Sequence, residues 1–175
     1  MKLPQIRALA EEYALKYNPK HLAPFPYENV ITEHTDLRVY FTTLDDDAVS
    51  GAILFKDGQY NILINNSKPE ARQHFTLAHE LGHYFLHGEE LRGEHAIIDG
   101  DDTLDGPRIL YRSDDNKAQR LEIEANNFAA SLIMPADLVR RAWDATHSIQ
   151  ECARIFSVSP VAMSIRLTRL GLVSE

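Results

Sequence analysis

Residues 79 to 83 read His79-Glu80-Leu81-Gly82-His83, an HExxH pattern, and this run constrains the fold more than any other part of the chain. Side chains four apart on an α-helix stand one above the other on the same face. Two imidazoles so placed can share one zinc ion, with Glu80 beside them to take a proton from a water that the metal activates. The bland alternative is a surface helix that happens to carry two histidines. The flanks argue for a packed helix, because Phe75, Ala78, Gly82 and Phe85 (or Leu86) recur at spacings of three and four. Pro69 stands near its start and Gly88 is the expected stop. Gly82 costs helix propensity, which makes sense if another backbone or a ligand must come close to the metal. His87 adds one more step of four. Eight residues of rise separate it from His79 by about 12 Å, so it is read as supporting a ligand or capping the helix.

A catalytic zinc takes three protein ligands and keeps a fourth position for water, so a further ligand must come from elsewhere. The segment from Leu121 to Pro135 offers two carboxylates. Leu121, Ala125, Phe128, Ala129 and Leu132 follow helical spacing and define a core face. Glu122 borders that face, stacked with Ala125, Asn126 and Ala129. Glu124 shares a face with Arg120, Asn127 and Ser131, which reads as the solvent side. Periodicity thus favours Glu122 as the ligand and leaves Glu124 as an ordinary exposed carboxylate. Asn126, one turn on from Glu122, is placed to hydrogen-bond a ligand histidine.

With these segments in view the chain resembles the ImmA/IrrE family of zinc metallopeptidases, whose site is gluzincin-like. The resemblance rests on the run from Arg72 to His83, on Glu122 to Ala130, and on Leu132-Ile133-Met134-Pro135. Ser50 to Phe55 and Phe156 to Pro160 also agree, and the match runs from about residue 35 to the C-terminus. It implies a zincin-like α+β fold, Zn2+ on His79, His83 and Glu122, and Glu80 as the catalytic base. It also implies action on a regulatory partner, typically a helix-turn-helix repressor. Some members carry a long N-terminal DNA-binding module or a C-terminal sensor domain; neither is expected in this chain.

The scaffold reading is α+β, with a small antiparallel sheet packed on the HExxH helix. A first helix is expected over residues 4 to 17, with Pro4 in its first turn and Asn18-Pro19 ending it. Strands follow near 37 to 43, 50 to 56 and 60 to 65, the last two joined by a Lys56-Asp57-Gly58-Gln59 hairpin turn. The strand at 50 to 56 is the candidate edge for holding an extended peptide beside the metal. The connection over residues 88 to 117 is long, with seven acidic side chains against one arginine from Gly88 to Gly106. It reads as a solvated loop, and its Asp99-Gly100-Asp101-Asp102 run does not follow EF-hand spacing. Tyr111 and Arg112 near its end are candidates to polarise the scissile carbonyl or steady an oxyanion.

Residues 1–135 are read as the metallopeptidase domain and 136–175 as a helical segment packed on it. Ser148 to Phe156 forms a helix containing the single cysteine, Cys152, as a buried thiol. Ser159 caps the next helix, Pro160 opens it and Gly171 stops it. This is a helix-turn-helix-like pattern in which Arg154, Arg166 and Arg169 are available for phosphates. From Ala136 onward, however, five arginines face four acidic residues, and the chain's net charge is −8. Direct nucleic-acid binding is therefore disfavoured relative to packing or docking of a protein partner. With 44% hydrophobic residues, one cysteine, no signal-peptide-like run at the N-terminus and no span of membrane length, the chain is expected to be cytoplasmic. The favoured function is a zinc endopeptidase making a site-specific cut in a regulatory protein, a helix-turn-helix repressor or antitoxin-like partner. The alternative is a non-catalytic, metal-bound module that binds and neutralises such a partner.

Overall fold

The computed structural model describes residues 1–92, 96–100 and 115–174, with the backbone alone at 96–100 and 115. Helix α1 (Leu3–Tyr17) carries its proline in the first turn, where no intrahelical N–H is required. It buries Ile6, Ala10, Ala14 and Tyr17, a stripe at steps of four and three. Asn18 ends it and braces the next turn, its side chain bonding both the N–H and the C=O of Leu22. A short α2 (Glu28–Glu33), which the sequence pattern does not announce, leads into the sheet.

Strands β1 (Leu37–Thr42), β2 (Val49–Lys56) and β3 (Gln59–Asn65) form where alternation and β-branched content place them. The β2–β3 turn is the two-residue kind. Asp57 and Gly58 take φ of 52° and 76°, and Lys56 pairs with Gln59. A fourth strand, β4 (Ala96–Gly100), lies inside the segment read from sequence as loop. The order is β1-β3-β2-β4.

Two expectations are corrected by this topology. The sheet is mixed rather than antiparallel, because β1 runs parallel to β3, Leu37 opposite Tyr60 and Thr42 opposite Asn65. The chain passes from β1 to β2 without pairing them and returns through the hairpin, which brings β3 beside β1 in the same direction. The second correction concerns β2, which is an interior strand. It is antiparallel to β3 on one side and to β4 on the other, so it is not the edge onto which a peptide strand would add. The edges among the described residues are β1 and β4.

Ile53, Ile62 and Ile64, all fully buried, lie in one core with Leu77, Ala78 and Leu81 of α3 (Glu70–Leu91), which packs on β2 and β3. Gly88 does not stop α3 as expected. The helix kinks one residue earlier, at His87 (φ −125°, ψ 15°), and runs on to Leu91. Gly88 instead makes room for Tyr60, whose hydroxyl donates to the Gly88 carbonyl at 2.7 Å and would lie 3.0 Å from any Cβ placed there.

Helix α4 (Asp115–Ile133) packs on both α3 and α1. It buries Leu121, Ala125, Phe128, Ala129 and Leu132, the stripe its periodicity predicts. Three further helices follow: α5 (Ala136–Thr146), α6 (Ile149–Phe156) and α7 (Pro160–Arg169). Ser148 and Ser159 cap the last two, accepting from the N–H of Glu151 and of Ala162. Cys152 is fully buried. Arg166 is not available for phosphates. It is 4% exposed, donating to the Met134 carbonyl at 2.9 Å and the Ser131 hydroxyl at 3.4 Å, and pairing with Glu11 of α1 at 2.8 Å. Arg154 pairs with Glu151 on its own helix.

Candidate metal centre

Helix α3 presents His79 and His83 on one face, and α4 brings Glu122 against them. The Nε2 atoms of the two histidines lie 3.0 Å apart. His79 Nε2 is 3.0 Å from Glu122 Oε2, and His83 Nε2 is 3.2 Å from Glu122 Oε1. One ligand atom from each of the three residues falls within 4.8 Å of the others, and all three residues are buried. The close approach of the helices is what permits this. A Cβ on Gly82 would stand 3.0 Å from both the Cα and the carbonyl oxygen of Ala125, so a larger residue would push the two helices apart. The sequence left open whether a backbone or a ligand comes close to Gly82; it is the backbone of the helix that carries Glu122.

Around these three residues the packing is polar and paired. The side-chain amide oxygen of Asn126, Oδ1, lies 3.0 Å from His79 Nδ1. His87, placed by the kink, has its Nδ1 3.0 Å from His83 Nδ1 and its Nε2 3.0 Å from Glu124 Oε2. The reading of Glu124 as an exposed carboxylate is therefore overturned: it is 8% exposed and bound to His87. The supposed solvent side of α4 is covered by neighbours that periodicity cannot see. Arg7 of α1 donates to Asn127 at 3.2 Å and Arg166 of α7 reaches Ser131, leaving Asn127 and Ser131 buried. Glu80 is fully buried, with its carboxylate against β2 at Gly51. Tyr111 and Arg112 lie outside the described residues.

The electrostatics favour the ligand forms of these side chains. Burial pushes His83 down to about 4, against the pull of Glu122, so the imidazole is neutral at pH 7. Burial alone would raise the Glu122 carboxyl, yet the two histidines outweigh it and hold it at about 2. Whether the set fits a cation follows from proton placement. An amide oxygen only accepts, so His79 Nδ1 carries a hydrogen, and in a neutral ring its Nε2 turns a lone pair toward Glu122. An Nε2 lone pair and a carboxylate oxygen 3.0 Å apart repel unless a proton or a metal ion lies between them. Glu122 Oε1 is also buried without a hydrogen-bond partner. Two imidazole nitrogens and a carboxylate match the donor set of a catalytic zinc, and the same set also holds iron(II) in other proteins.

A cavity of about 260 Å³ adjoins this centre at Asn126, lined further by Phe75, Ala130, Met134, Ile165 and Arg169. A larger one of about 430 Å³, lined by Arg38, Tyr40, Leu54 and Leu63, lies on the strand residues alternate to those that pack on α3 and is remote from the histidines.

The family model of the IrrE N-terminal-like domain, a peptidase family, matches residues 32–168. The chain belongs to the ImmA/IrrE family. That membership places it among metallopeptidases at the level of family. Two similar proteins each bear the name radiation response metalloprotease IrrE. One, from Deinococcus deserti, is 34% identical over 113 residues, covering 59% of this chain and 36% of that protein. The other, from Deinococcus radiodurans, is 31% identical over 118 residues, covering 64% of this chain and 32% of its own length. The chain thus spans about a third of the length of these relatives. Among solved structures, a Mycobacterium tuberculosis transcriptional regulator superposes with a TM-score of 0.60 at 14% identity, covering 94% of this chain and 47% of that one, a likeness of fold alone. Among the described residues no helix is long and apolar enough to cross a membrane.

Proposed function

We propose that this ImmA/IrrE protein is a zinc-dependent endopeptidase that makes a site-specific cut in a regulatory protein, with a helix-turn-helix repressor or antitoxin-like protein as its partner. The observation that carries the reading is the convergence of His79, His83 and Glu122 beside a fully buried Glu80 one residue along the same helix. A zinc-binding structure needs the three ligands; hydrolysis also needs a proton carrier at the position of Glu80. In this reading His79, His83 and Glu122 hold the ion. Zinc held there would supply Lewis acidity toward the scissile carbonyl and would let the attacking water lose a proton near neutral pH. Glu80 takes that proton and delivers it to the leaving amine, one carboxylate acting as base and then acid. Asn126 holds the His79 ring in the orientation that turns Nε2 toward Glu122 and His83. Tyr111 and Arg112 are proposed as the groups that polarise the carbonyl or steady the oxyanion. The helices after Met134 are proposed to dock the partner, and the acidic balance of the chain suits a basic one. The compartment implied is the cytoplasm, where such regulators act.

The test is incubation of the zinc-loaded protein with helix-turn-helix repressors encoded beside it, read by intact mass, with Glu80→Gln in parallel. A defined cut by the wild type alone, with zinc content equal in both proteins, is the expected result. Stable complex formation without a cut would replace the peptidase with the binding module.

A further inference from the structure

The proton that decides whether His83 can bind a metal is controlled by Glu124, acting through His87. His83 and His87 touch through their Nδ1 atoms at 3.0 Å, and two nitrogens that close require one to donate and the other to accept. Which does which is settled at the far side of His87, where Nε2 lies 3.0 Å from Glu124 Oε2. A carboxylate accepts, so His87 Nε2 carries the hydrogen; in a neutral ring Nδ1 then keeps its lone pair. His83 must donate from Nδ1, which strips its Nε2 of a proton and leaves a lone pair pointing at Glu122. If Glu124 were removed, His87 would be free to carry its hydrogen on Nδ1. His83 would then accept at Nδ1 and hold its own proton at Nε2, where it blocks coordination.

Resting on the metal-site reading above, we propose that His87 and Glu124 are positioning residues that fix the tautomer of His83 by a carboxylate–histidine–histidine relay, with zinc affinity set from Glu124. The whole relay is sealed from water. His83 is fully buried, His87 is 2% exposed and Glu124 8%, so no solvent molecule can readily take the place of either partner. Arg120, on the solvent side, lies 3.9 Å from Glu124 Oε1 and leaves Oε2 for His87. The kink at His87 belongs to the same device, since its departure from helical φ and ψ comes at the residue whose ring touches both His83 and Glu124. The two ligand histidines are thus served by separate supports on one helix: Asn126 holds His79 directly, and Glu124 holds His83 through an intermediary.

The experiment has two arms. In the first, two-bond 1H–15N correlation spectra of histidine-labelled, zinc-free wild type at pH 7.5 report which nitrogen of each ring is protonated. Protonation of His83 at Nδ1 and of His87 at Nε2 is the expected result, and His83 protonated at Nε2 would overturn the relay. In the second, zinc affinity is measured by chelator competition for wild type, His87→Phe, Glu124→Met and Glu124→Gln. The first two variants should lose about 10–100-fold in affinity, while Glu124→Gln, which keeps an oxygen acceptor for His87, should stay within about threefold. Wild-type affinity in both His87→Phe and Glu124→Met would equally overturn it. Should those variants fail to fold, the wild-type spectra decide alone. The two readings separate cleanly, because absence of zinc binding in the wild type sinks the metal site, whereas tight wild-type binding with indifferent variants sinks only the relay.

Discussion

At the scale of single residues, burial rather than identity decides what the histidines do. His74 is held down at about 4 by burial, with its Nε2 buried and without a hydrogen-bond partner and its ring 5.1 Å from that of Tyr27. The unfolded chain therefore takes a proton near pH 6.5, while the folded one resists until about 4, so this residue's contribution is fully present above pH 6.5 and is lost as the pH falls toward 4. The loss is roughly 1–3 kcal/mol. Urea unfolding of the chelator-treated protein across pH 4 to 8 should show the wild type losing ground to His74→Phe only below pH 6.5. A gap independent of pH would mean that His74 is solvated when folded. The same scale shows what could be read before any coordinates. His79, His83, Glu122 and Asn126 reveal themselves through spacing, because steps of four encode a shared helical face. Glu124 does not, since its polarity matches a solvated surface as well as it matches a buried partner, and the partner is a residue on another helix.

At the scale of elements, the narrow seam between α3 and α4 sets how far apart the proposed ligands stand. Gly82→Ala forces a methyl group into 3.0 Å contact with the backbone of Ala125. Because backbone cannot swing aside as a side chain does, this should destabilise the metal-free protein by about 1–3 kcal/mol. It should also weaken zinc binding, read by urea midpoint and chelator competition. Unchanged values in both would show that the seam has slack. Strand positions and the Asp57-Gly58 turn are legible in sequence because alternation and turn chemistry are local. The parallel pairing of β1 with β3, and β4 at the flank of β2, are not, because strand order depends on which edges the rest of the chain leaves open. Helix α2 is too short for periodicity to declare it.

At the scale of the whole molecule, Arg166 ties the last helix to the body by contacting α1, the α4 hydroxyl of Ser131 and the Met134 carbonyl after α4. Arg166→Leu leaves these acceptors without their donor and should cost roughly 2–4 kcal/mol, visible as a lower denaturation midpoint. A change below about 0.5 kcal/mol, the scale of an ordinary surface substitution, would show that α7 is held by its apolar side alone. The proposed ligands are divided between two stretches of chain, His79 and His83 before residue 92 and Glu122 after residue 115. An ion seated among them would therefore rivet the two halves of the polypeptide together. If an engineered protease site within residues 101–114 is cut, the halves should travel as one species on a sizing column while loaded. They should part in chelator at a urea concentration that the uncut, metal-free chain survives, because a severed backbone leaves the ion as the strongest single fastening between them.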